Sequence, residues 1–387
     1  APLLPAGRSP AAQRPARVAG TSMRVAIIGT GLIGASLGLA LGRLDEIDEV
    51  VGFDHDLTQL AVATDQGALD RSTDSAAAAV GDADLVVLAV PVSVVVDVAA
   101  EVGPLLKPGT VLTDTTSVKA RVVAAMRASV GPGVHVIGGH PMAGSHETGA
   151  GHASADLFVG ATYLLTPTVD TDAGAYQRLH GLLARLGARP LAVDPARHDA
   201  LVAVVSHLPQ LAATTLMNLA TDRAREEHAG LLLLAAGGFR DATRVAASNP
   251  DLWVEICAEN RDAIVAVLDD YRERVGRLRS VLAVGDEPSL RRELVDARAS
   301  RRSLPGKETI TGALVELHLP IPDQPGVLAE VTTTVGAIGV NIEDLGIDHA
   351  PEGGRGTLRL AIIGFKPAGR ARDALEALGY EVLEQAL

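Results

Sequence analysis

Polar side chains that could do chemistry are concentrated in four short segments of an otherwise apolar chain. In chain order these segments are Asp114-Thr-Thr-Ser117-Val-Lys119, Gly139-His140-Pro141-Met142-Ala143-Gly144-Ser145, Ser206-His207-Leu208-Pro209-Gln210 and Gly237-Gly238-Phe239-Arg240-Asp241-Ala-Thr-Arg244. A neutral imidazole accepts a proton near physiological pH, and the arginine guanidinium is a favoured partner of a carboxylate. The segments therefore predict a site that accepts a proton and binds an anion.

Each of these residues also has a purely structural interpretation. Histidine is often partly buried without a catalytic role, and Ser117 could cap a helix that begins at Val118. Arg244 could lie on the surface, and Asp241 is expected to orient a nearby arginine. His140 follows an apolar strand and precedes a proline, so we expect it at a strand end, where open α/β sheets place their ligands.

A glycine-rich turn near the amino terminus predicts a dinucleotide site. An apolar strand runs into G-x-G-x-x-G and a helix-length stretch, in the order Val25-Ala-Ile-Ile-Gly29-Thr30-Gly31-Leu32-Ile33-Gly34. Gly29 permits the tight turn, Gly31 lets the backbone approach a pyrophosphate, and Gly34 allows close packing of helix on strand. The start of the helix then offers unpaired N–H groups to phosphate.

The choice of cofactor rests on the end of the next strand. Asp54 lies about 20 residues after the glycine turn, where an acid binds the ribose hydroxyls. His55 rather than an arginine follows it, so a 2′-phosphate would meet a carboxylate without a cation, and NAD is favoured over NADP. Val90 and Pro91 end a later apolar run and are expected beside the nicotinamide half of the crevice.

The elements that must position these residues change in kind along the chain. Between residues 23 and 193, short apolar runs alternate with helix-length segments, which predicts a Rossmann-type parallel sheet covered by helices. Residues 194–303 have helical spacing throughout and predict an all-helical domain. Residues 304–311 resemble a linker, and residues 312–387 follow the order strand, helix, strand, strand, helix of a small α+β domain. The strands expected in the first domain are Arg24–Gly29, Glu49–Phe53, Asp84–Val90, Thr110–Asp114, His135–Gly138 and Thr162–Thr166.

Composition narrows the class of protein. The 387 residues are 47% hydrophobic and 21% charged, which is typical of folded globular domains. A formal net charge of −13 argues against general binding to nucleic acid or anionic membranes. Cys257 is the only cysteine, so we expect neither an intramolecular disulfide nor a cysteine-based metal site, and a reducing, cytoplasmic compartment fits.

The chain shows no targeting or membrane segment that we recognise. No run of 18 or more apolar residues is free of charges and turn formers, so no membrane span is expected. Residues 1–22 are rich in proline, alanine and arginine and lack the apolar core of a secretory signal. We expect them to be a disordered leader, with Met23 a possible true start.

The motifs in this order resemble the prephenate dehydrogenase family, which includes prephenate and arogenate dehydrogenases. The resemblance extends from Val25 to about Asn260 and rests on G-L-I-G, D-x-x-S-V-K, H-P-M-A-G-S, S-H-L-P and G-G-F-R-D-x-T-R. In the last domain, D-Q-P-G-V-L-A-E from Asp323 and G-V-N-I-E from Gly339 resemble an ACT domain, a ferredoxin-like regulatory unit that binds amino acids.

The resemblance implies a reaction and roles for the candidate residues. The reaction is the NAD-dependent oxidation of prephenate to 4-hydroxyphenylpyruvate with loss of CO2, in tyrosine biosynthesis. His140 would take the proton of the ring hydroxyl, and Ser117 would hold that hydroxyl and orient His140. Arg244 and His207 would bind the two carboxylates, and the sequence leaves open which binds which. No metal is implied.

The resemblance also places further residues. His198 is expected to contact either the substrate or a residue that contacts the substrate, and Trp253 is expected to pack near the pocket. Gln210 stands where the family often has histidine, which puts a charged contribution from that position in doubt. The long, Leu/Ala-rich helical domain predicts a homodimer. Tyrosine is the expected effector of the last domain, with contacts to Asp323, Gly326, Val327, Leu328, Asn341 and Ile342.

Three alternatives differ in substrate or in class of protein. Arogenate differs from prephenate by an amine in place of a ketone, and the sequence does not locate a partner for that amine. A β-hydroxyacid dehydrogenase would need a lysine from the helical domain, yet no lysine lies between Lys119 and Lys307. A catalytically inactive amino-acid sensor would not need His140, Ser117 or Arg244, which are all present.

Overall fold

The computed structural model describes residues 23–144, 147–226, 230–303, 314–322, 324, 326–342, 344–349 and 355–386. The chain divides into two compact units, of which the first ends at Arg291 and the second begins at Arg292. The predicted leader, residues 1–22, and the predicted linker, residues 304–311, lie outside the described residues.

A parallel sheet forms the centre of the first unit. Its described strands are β1 (Met23–Ile28), β2 (Ile47–Phe53), β3 (Arg71–Ser72), β4 (Leu85–Leu88), β5 (Val111–Asp114) and β6 (His135–Val136). Their order is β3-β2-β1-β4-β5-β6, and every neighbouring pair is parallel. The strand order reverses between β1 and β4, which opens a ligand crevice at the carboxyl ends of these strands.

Helices cover both faces of this sheet, as the apolar strands predict. Val25 and Ile27 of β1 point into one core and Ala26 and Ile28 into the other, because successive side chains of a strand alternate between faces. All four are buried. The helices that follow the first strands are α1 (Leu32–Leu41), α2 (Leu57–Asp65), α3 (Ala76–Val80), α4 (Val95–Val102) and α5 (Ala120–Ser129).

A second, three-stranded sheet follows β6. It consists of β7 (Gly138–Pro141), β8 (Thr162–Thr166) and β9 (Arg189–Ala192), with α6 (Ala173–Arg185) between β8 and β9. Strand β7 runs antiparallel to β8, and β9 runs parallel to it.

The second sheet corrects one sequence prediction. Residues 135–138 are not one strand, because the chain leaves the parallel sheet after Val136 and continues in β7. His140 therefore lies within β7, opposite Leu164, and not at the end of a parallel strand. A Cβ on Gly139 would overlap the carbonyl oxygen of Asp114, so the glycine lets the chain cross closely behind β5.

The rest of the first unit is helical, as predicted. Its helices are α7 (Pro195–Val202), α8 (Leu208–Glu226), α9 (Gly237–Thr243), α10 (Pro250–Glu259) and α11 (Arg261–Val284), while α12 (Glu287–Arg302) crosses the boundary between the units. A π-helical turn, Ala203–His207, joins α7 to α8 without a break. Such turns are frequent at functional sites.

The continuous helix Pro195–Glu226 bears on the prediction that no segment spans a membrane. Among the described residues it alone is long and apolar enough to do so, with a mean hydropathy of 1.5 in its most apolar stretch. Core helices of soluble proteins meet the same criterion. This helix carries the buried polar residues His198, Asp199 and His207, which bond within the unit. The absence of a membrane span stays a prediction.

The second unit has a ferredoxin-like α+β fold. Its elements are β10 (Leu314–Pro322), α13 (Val327–Ala337), β11 (Asp344–His349), β12 (Arg355–Ile363), α14 (Phe365–Ala377) and β13 (Leu383–Ala386). The antiparallel sheet has the order β11-β12-β10-β13. Buried residues of β10 and β12 pack on Val331, Val335 and Leu375 of the two helices. The predicted order is confirmed, and β13 is an additional strand.

Candidate active site

The glycine turn after β1 has the geometry of a dinucleotide site. Gly29 has φ 93°, a conformation that favours glycine, and its N–H donates to the carbonyl oxygen of Phe53 across 2.9 Å. A Cβ on Gly34 would overlap the carbonyl oxygen of Gly29, whereas a Cβ on Gly31 would have nothing within 4 Å. Gly34 is therefore needed by the packing of α1, and Gly31 faces open space.

The first turn of α1 can hold a phosphate. Gly31 is its N-cap and offers no side chain to bond the first N–H groups. Leu32 and Ile33 are only partly buried there, whereas Thr30 is fully buried beneath them. Since the first N–H groups of a helix lack partners within it, they are available to an anion.

Asp54 joins this turn to the end of β2. Its carboxylate accepts hydrogen bonds from the backbone N–H of Thr30, at 2.6 Å, and from that of Asp56, at 2.9 Å. A cavity of about 800 Å³ opens beside it, and Gly29, Gly31, Val90 and Pro91 line it further. The size is that of a small-molecule site.

The charges around this cavity fit NAD. Asp54, Asp56, Asp74 and Glu101 line it, and none of its described lining residues is lysine or arginine. A 2′-phosphate would meet four carboxylates there, whereas ribose hydroxyls can donate to them. The open Gly31, the uncapped helix and this acidic wall fit the pyrophosphate and ribose of NAD.

A chain of hydrogen bonds starts at His140. Its Nδ1 lies 2.9 Å from Nε2 of His198, and Nδ1 of His198 lies 2.8 Å from Oδ1 of Asp199. His198 is fully buried and His140 partly buried. The structure thus brings His198 directly behind His140, one of the two positions that the resemblance implied.

Asp199 also connects these hydrogen bonds to neighbouring helices. Its carboxylate accepts from the backbone N–H of Lys119, at 2.7 Å, and of Ala120, at 2.8 Å, and so caps α5. Its carbonyl oxygen accepts from Nδ2 of Asn260 at 2.9 Å, and the same amide nitrogen lies 3.2 Å from Nδ1 of His207. His207 packs edge-on against Trp253, with ring centroids 5.8 Å apart. His140, His198, His207 and Trp253 therefore form one connected group.

Lys119 fixes the strand that carries His140. It is fully buried, and its Nζ donates to the Asp114 carboxylate, to Thr116 Oγ1 at 3.0 Å and to the Gly139 carbonyl at 2.7 Å. Burial lowers the pKa of Lys119, and the Asp114 carboxylate opposes that shift. The sequence places Lys119 in a motif but predicts no role for it.

His140 and His207 are held in the neutral state at physiological pH. Burial, and next the positive charge of Lys119, hold the pKa of His140 well below its ordinary value. Burial lowers the pKa of His207 to about 4, against an opposing effect of Asp199. Because the Asn260 amide donates to Nδ1 of His207, the proton of that ring is on Nε2. His140 can accept a proton, and His207 can donate a neutral hydrogen bond.

Ser117 and Arg244 lie outside this hydrogen-bonded group. Helix α5 begins at Ala120 rather than Val118, and Asp199 rather than Ser117 caps it. Within the described residues, the Ser117 hydroxyl makes no hydrogen bond to His140. Arg244 is exposed at the start of a short 3₁₀ turn that packs on α8. Their roles stay predictions.

The residues predicted to bind an effector lie in the second unit. Gly326, with φ 97°, precedes α13, and Val327 and Leu328 form the first turn of that helix. Asn341 and Ile342 lie between α13 and β11. Asp323 lies outside the described residues.

Comparison with known families gives two matches. A model described as "Prephenate dehydrogenase, nucleotide-binding domain" matches residues 37–191, beginning inside α1. A model described as "Prephenate dehydrogenase, dimerization domain" matches residues 194–296.

Individual proteins are similar over most of the chain. The prephenate dehydrogenase of Bacillus subtilis is 31% identical over 357 residues, which is 91% of this chain and 95% of the relative. The cyclohexadienyl dehydrogenase of Zymomonas mobilis is 34% identical over 72% of this chain and 95% of its own.

Solved structures are similar over a smaller part. Synechocystis arogenate dehydrogenase has a TM-score of 0.65 and 30% identity, and the match covers 72% of this chain and 99% of that one. Prephenate dehydrogenase from Aquifex aeolicus, solved with hydroxyphenyl propionate and NAD+, has a TM-score of 0.69 and 28% identity, over 74% of this chain and 100% of that one.

Proposed function

Because the chain belongs to the prephenate dehydrogenase family and is an NAD-dependent enzyme, we propose that it converts prephenate to 4-hydroxyphenylpyruvate and CO2. One observation carries the proposal: His140 is neutral and is held by hydrogen bonds that run through His198 to Asp199, in the same unit as the glycine turn of the dinucleotide site. This residue can accept the proton of the ring hydroxyl. Bound NAD supplies the acceptor for the hydride.

His140 accepts a proton early in the reaction and returns it at the end. As the ring carbon is oxidised, the hydroxyl proton passes to the His140 imidazole and the oxygen becomes a carbonyl. Loss of the ring carboxylate as CO2 sends its electron pair into the ring, which becomes aromatic. The oxygen then carries negative charge and takes the proton back from His140. Ser117 would hold this oxygen throughout.

Arg244 and His207, the candidates for binding the two carboxylates of prephenate, are donors of different kinds. Arg244 can offer a charged, two-pronged hydrogen bond. His207 is neutral near pH 7, so it would offer one N–H from Nε2, with Trp253 against its ring. The assignment of each donor to a carboxylate stays open.

Arogenate is the second candidate substrate. The similarity to an arogenate dehydrogenase at 30% identity is the observation that favours it. Initial rates of NADH formation with prephenate and with arogenate, measured side by side under the same NAD concentration, separate the two. We expect a higher kcat/KM with prephenate. A higher value with arogenate would reverse the assignment, and no NADH with either would refute the proposed reaction.

Feedback by tyrosine through the second unit is part of the proposal. Its support is the ferredoxin-like fold of the unit and the motifs around Gly326 and Asn341, which resemble an ACT domain. Tyrosine should inhibit the full chain, and a chain that ends at Ser303 should keep its activity without this inhibition. Inhibition that survives the truncation would place the effector elsewhere.

We also propose a homodimer formed by the helical domain. The family model that matches this region is described as a dimerization domain. Large apolar side chains on its helices are exposed in the single chain, among them Val205, Leu219 and Val254. Light scattering after gel filtration should give twice the chain mass of 39.8 kDa, and a mass of one chain would contradict the proposal.

A further inference from the structure

We propose that His198 and Asp199 are positioning residues: they fix the tautomer of His140, and His198 takes up positive charge beside the Asp199 carboxylate when His140 accepts the substrate proton. The inference rests on the proposed function for the origin of that proton. The distances along the hydrogen-bonded chain carry it.

The direction of each hydrogen bond follows from Asp199. An ionised carboxylate only accepts, so the proton between Asp199 and His198 is on Nδ1 of His198. In a neutral His198 the other nitrogen, Nε2, is then an acceptor. His140 must donate to it from its own Nδ1, across 2.9 Å. Nε2 of His140 is therefore the bare nitrogen that can take a proton from substrate.

Asp199 is itself held in place by the start of α5. Two backbone N–H groups, of Lys119 and Ala120, donate to its two carboxylate oxygens. The positive end of the helix dipole favours negative charge at this position. The carboxylate is therefore a fixed acceptor for His198 and a fixed counter-charge for it.

The charges around the two rings differ. The burial of His140, and next the positive charge of Lys119, lower the pKa of His140, and positive charge on His198 or His207, which face the same ring, would lower it further. The nearby Asp114 is already bonded to Lys119, and Tyr163 of β8 is buried with a raised pKa. His198, in contrast, has the Asp199 carboxylate 2.8 Å from its ring. Positive charge is thus disfavoured on His140 and compensated on His198.

These facts define a balanced proton relay. The substrate hydroxyl gives its proton to Nε2 of His140, and Nδ1 of His140 gives its proton to Nε2 of His198. His140 gains one proton and loses one, so it stays neutral, and the charge forms an ion pair with Asp199. No electrons are exchanged in the relay. The reverse transfers return the proton to the oxygen of the product.

The pH dependence of kcat in His198→Gln tests the relay. Glutamine can accept the hydrogen bond of His140 but cannot carry a proton onward. We expect kcat to fall by at least about tenfold, and its acidic limb to move to lower pH by about one unit, because His140 alone must now hold the proton. An unmoved limb would mean that His198 only supports the structure. A limb at higher pH would mean that it only repels charge, and either result overturns the relay.

A second variant addresses the carboxylate, with a matched control. Asp199→Asn should lower kcat roughly 10²–10⁴-fold, because the amide can donate to His198 and so reverse the direction of the hydrogen bonds that end at His140. KM for prephenate should change less than about threefold. Asp194 caps α7 five positions earlier and bonds only backbone N–H groups in the described contacts. Asp194→Asn should keep kcat within about twofold. Equal kcat losses in both variants would indicate a structural effect and refute the assignment.

A measurement without substrate keeps the inference separate from the proposed function. ¹⁵N NMR of histidine-labelled, full-length protein reports which ring nitrogens carry protons. We expect protons on Nδ1 of both His140 and His198, with His198→Gln used to assign the signals. A protonated Nε2 on His140 would overturn the relay, even in an active enzyme. An enzyme inactive on both substrates with the expected tautomers would refute only the proposed reaction.

Discussion

Replacing Gly31 by alanine should separate cofactor binding from folding, because the added methyl group meets no protein atom. Nothing lies within 4 Å of a Cβ at this position, and the backbone angles of φ −66° and ψ −162° suit alanine. The methyl group would stand where the pyrophosphate crosses the start of α1. Loss of one charge-assisted hydrogen bond costs about 1.5–3 kcal/mol, so the affinity for NAD should fall roughly 10- to 150-fold.

Gly34→Ala is the matched variant, with the opposite expectation. Its Cβ would overlap the carbonyl oxygen of Gly29 and lie 3.2 Å from Cβ of Ala89, so α1 must move away from β1. Overpacking of this kind costs about 1–3 kcal/mol of folding free energy. Gly31→Ala should leave the free energy of unfolding within about 1 kcal/mol of the parent protein.

Two measurements on each variant test the separate roles of Gly31 in cofactor binding and of Gly34 in folding. Isothermal titration calorimetry gives the Kd of NAD, and urea denaturation gives the free energy of unfolding. An unchanged Kd in Gly31→Ala would refute the path of the pyrophosphate over this residue. Full stability in Gly34→Ala would refute the steric role of the third glycine.

Three further predictions concern the histidines and the arginine. His140→Asn should lower kcat by roughly 10²–10⁴-fold with little change in KM for prephenate, and a near-normal kcat would remove His140 from the mechanism. Arg244→Gln should raise KM for prephenate roughly 10- to 150-fold, while an unchanged KM would exclude an anion-binding role. The folded state holds the pKa of His207 near 4, against about 6.5 when unfolded, so the unfolded state binds more protons between these values. His207 should therefore contribute about 2 kcal/mol to the fall in the free energy of unfolding between pH 7.5 and pH 5 in urea titrations, and His207→Gln should lose this contribution.

The sequence predicted the elements whose pattern is local. The apolar runs of β1 and β4 are buried on both faces, as their composition indicates, and the glycine turn has the predicted geometry. Strands β3, β9 and β13 were not predicted because they are short and largely polar or, in β9, contain Pro190. Such segments are strands only because a longer neighbour pairs with them.

The split between β6 and β7 shows that the pattern of apolar residues does not identify the strand with which a segment pairs. The spacing of residues 135–138 predicts one strand that ends at a glycine pair, and nothing in it reveals that the pairing partner changes from β5 to β8. Close packing decides it, because Gly138 and Gly139 have no room for a side chain against Thr166 and Asp114.

Lys119, Asp199 and Asn260 were not predicted to take part in the site, for a related reason. Asp199 bonds Lys119 across 80 positions of the sequence, and Asn260 reaches Asp199 across 61. No local periodicity links residues so far apart. The signal that could have drawn attention to Lys119 is its position in an apolar strand-to-helix turn, five residues after Asp114, where a lysine needs a buried partner.

The π-helical turn at Ala203–His207 also limits how the gene can vary in length. Such a turn holds one residue more than a regular α-helical turn, and each residue of a helix rotates the next side chain by about 100° around the axis. Loss of a single codon before His207 would leave an unbroken helix, yet it would carry the imidazole round the axis and away from Asn260. We therefore expect insertions and deletions before His207 to be selected against, even though the helix itself would tolerate them.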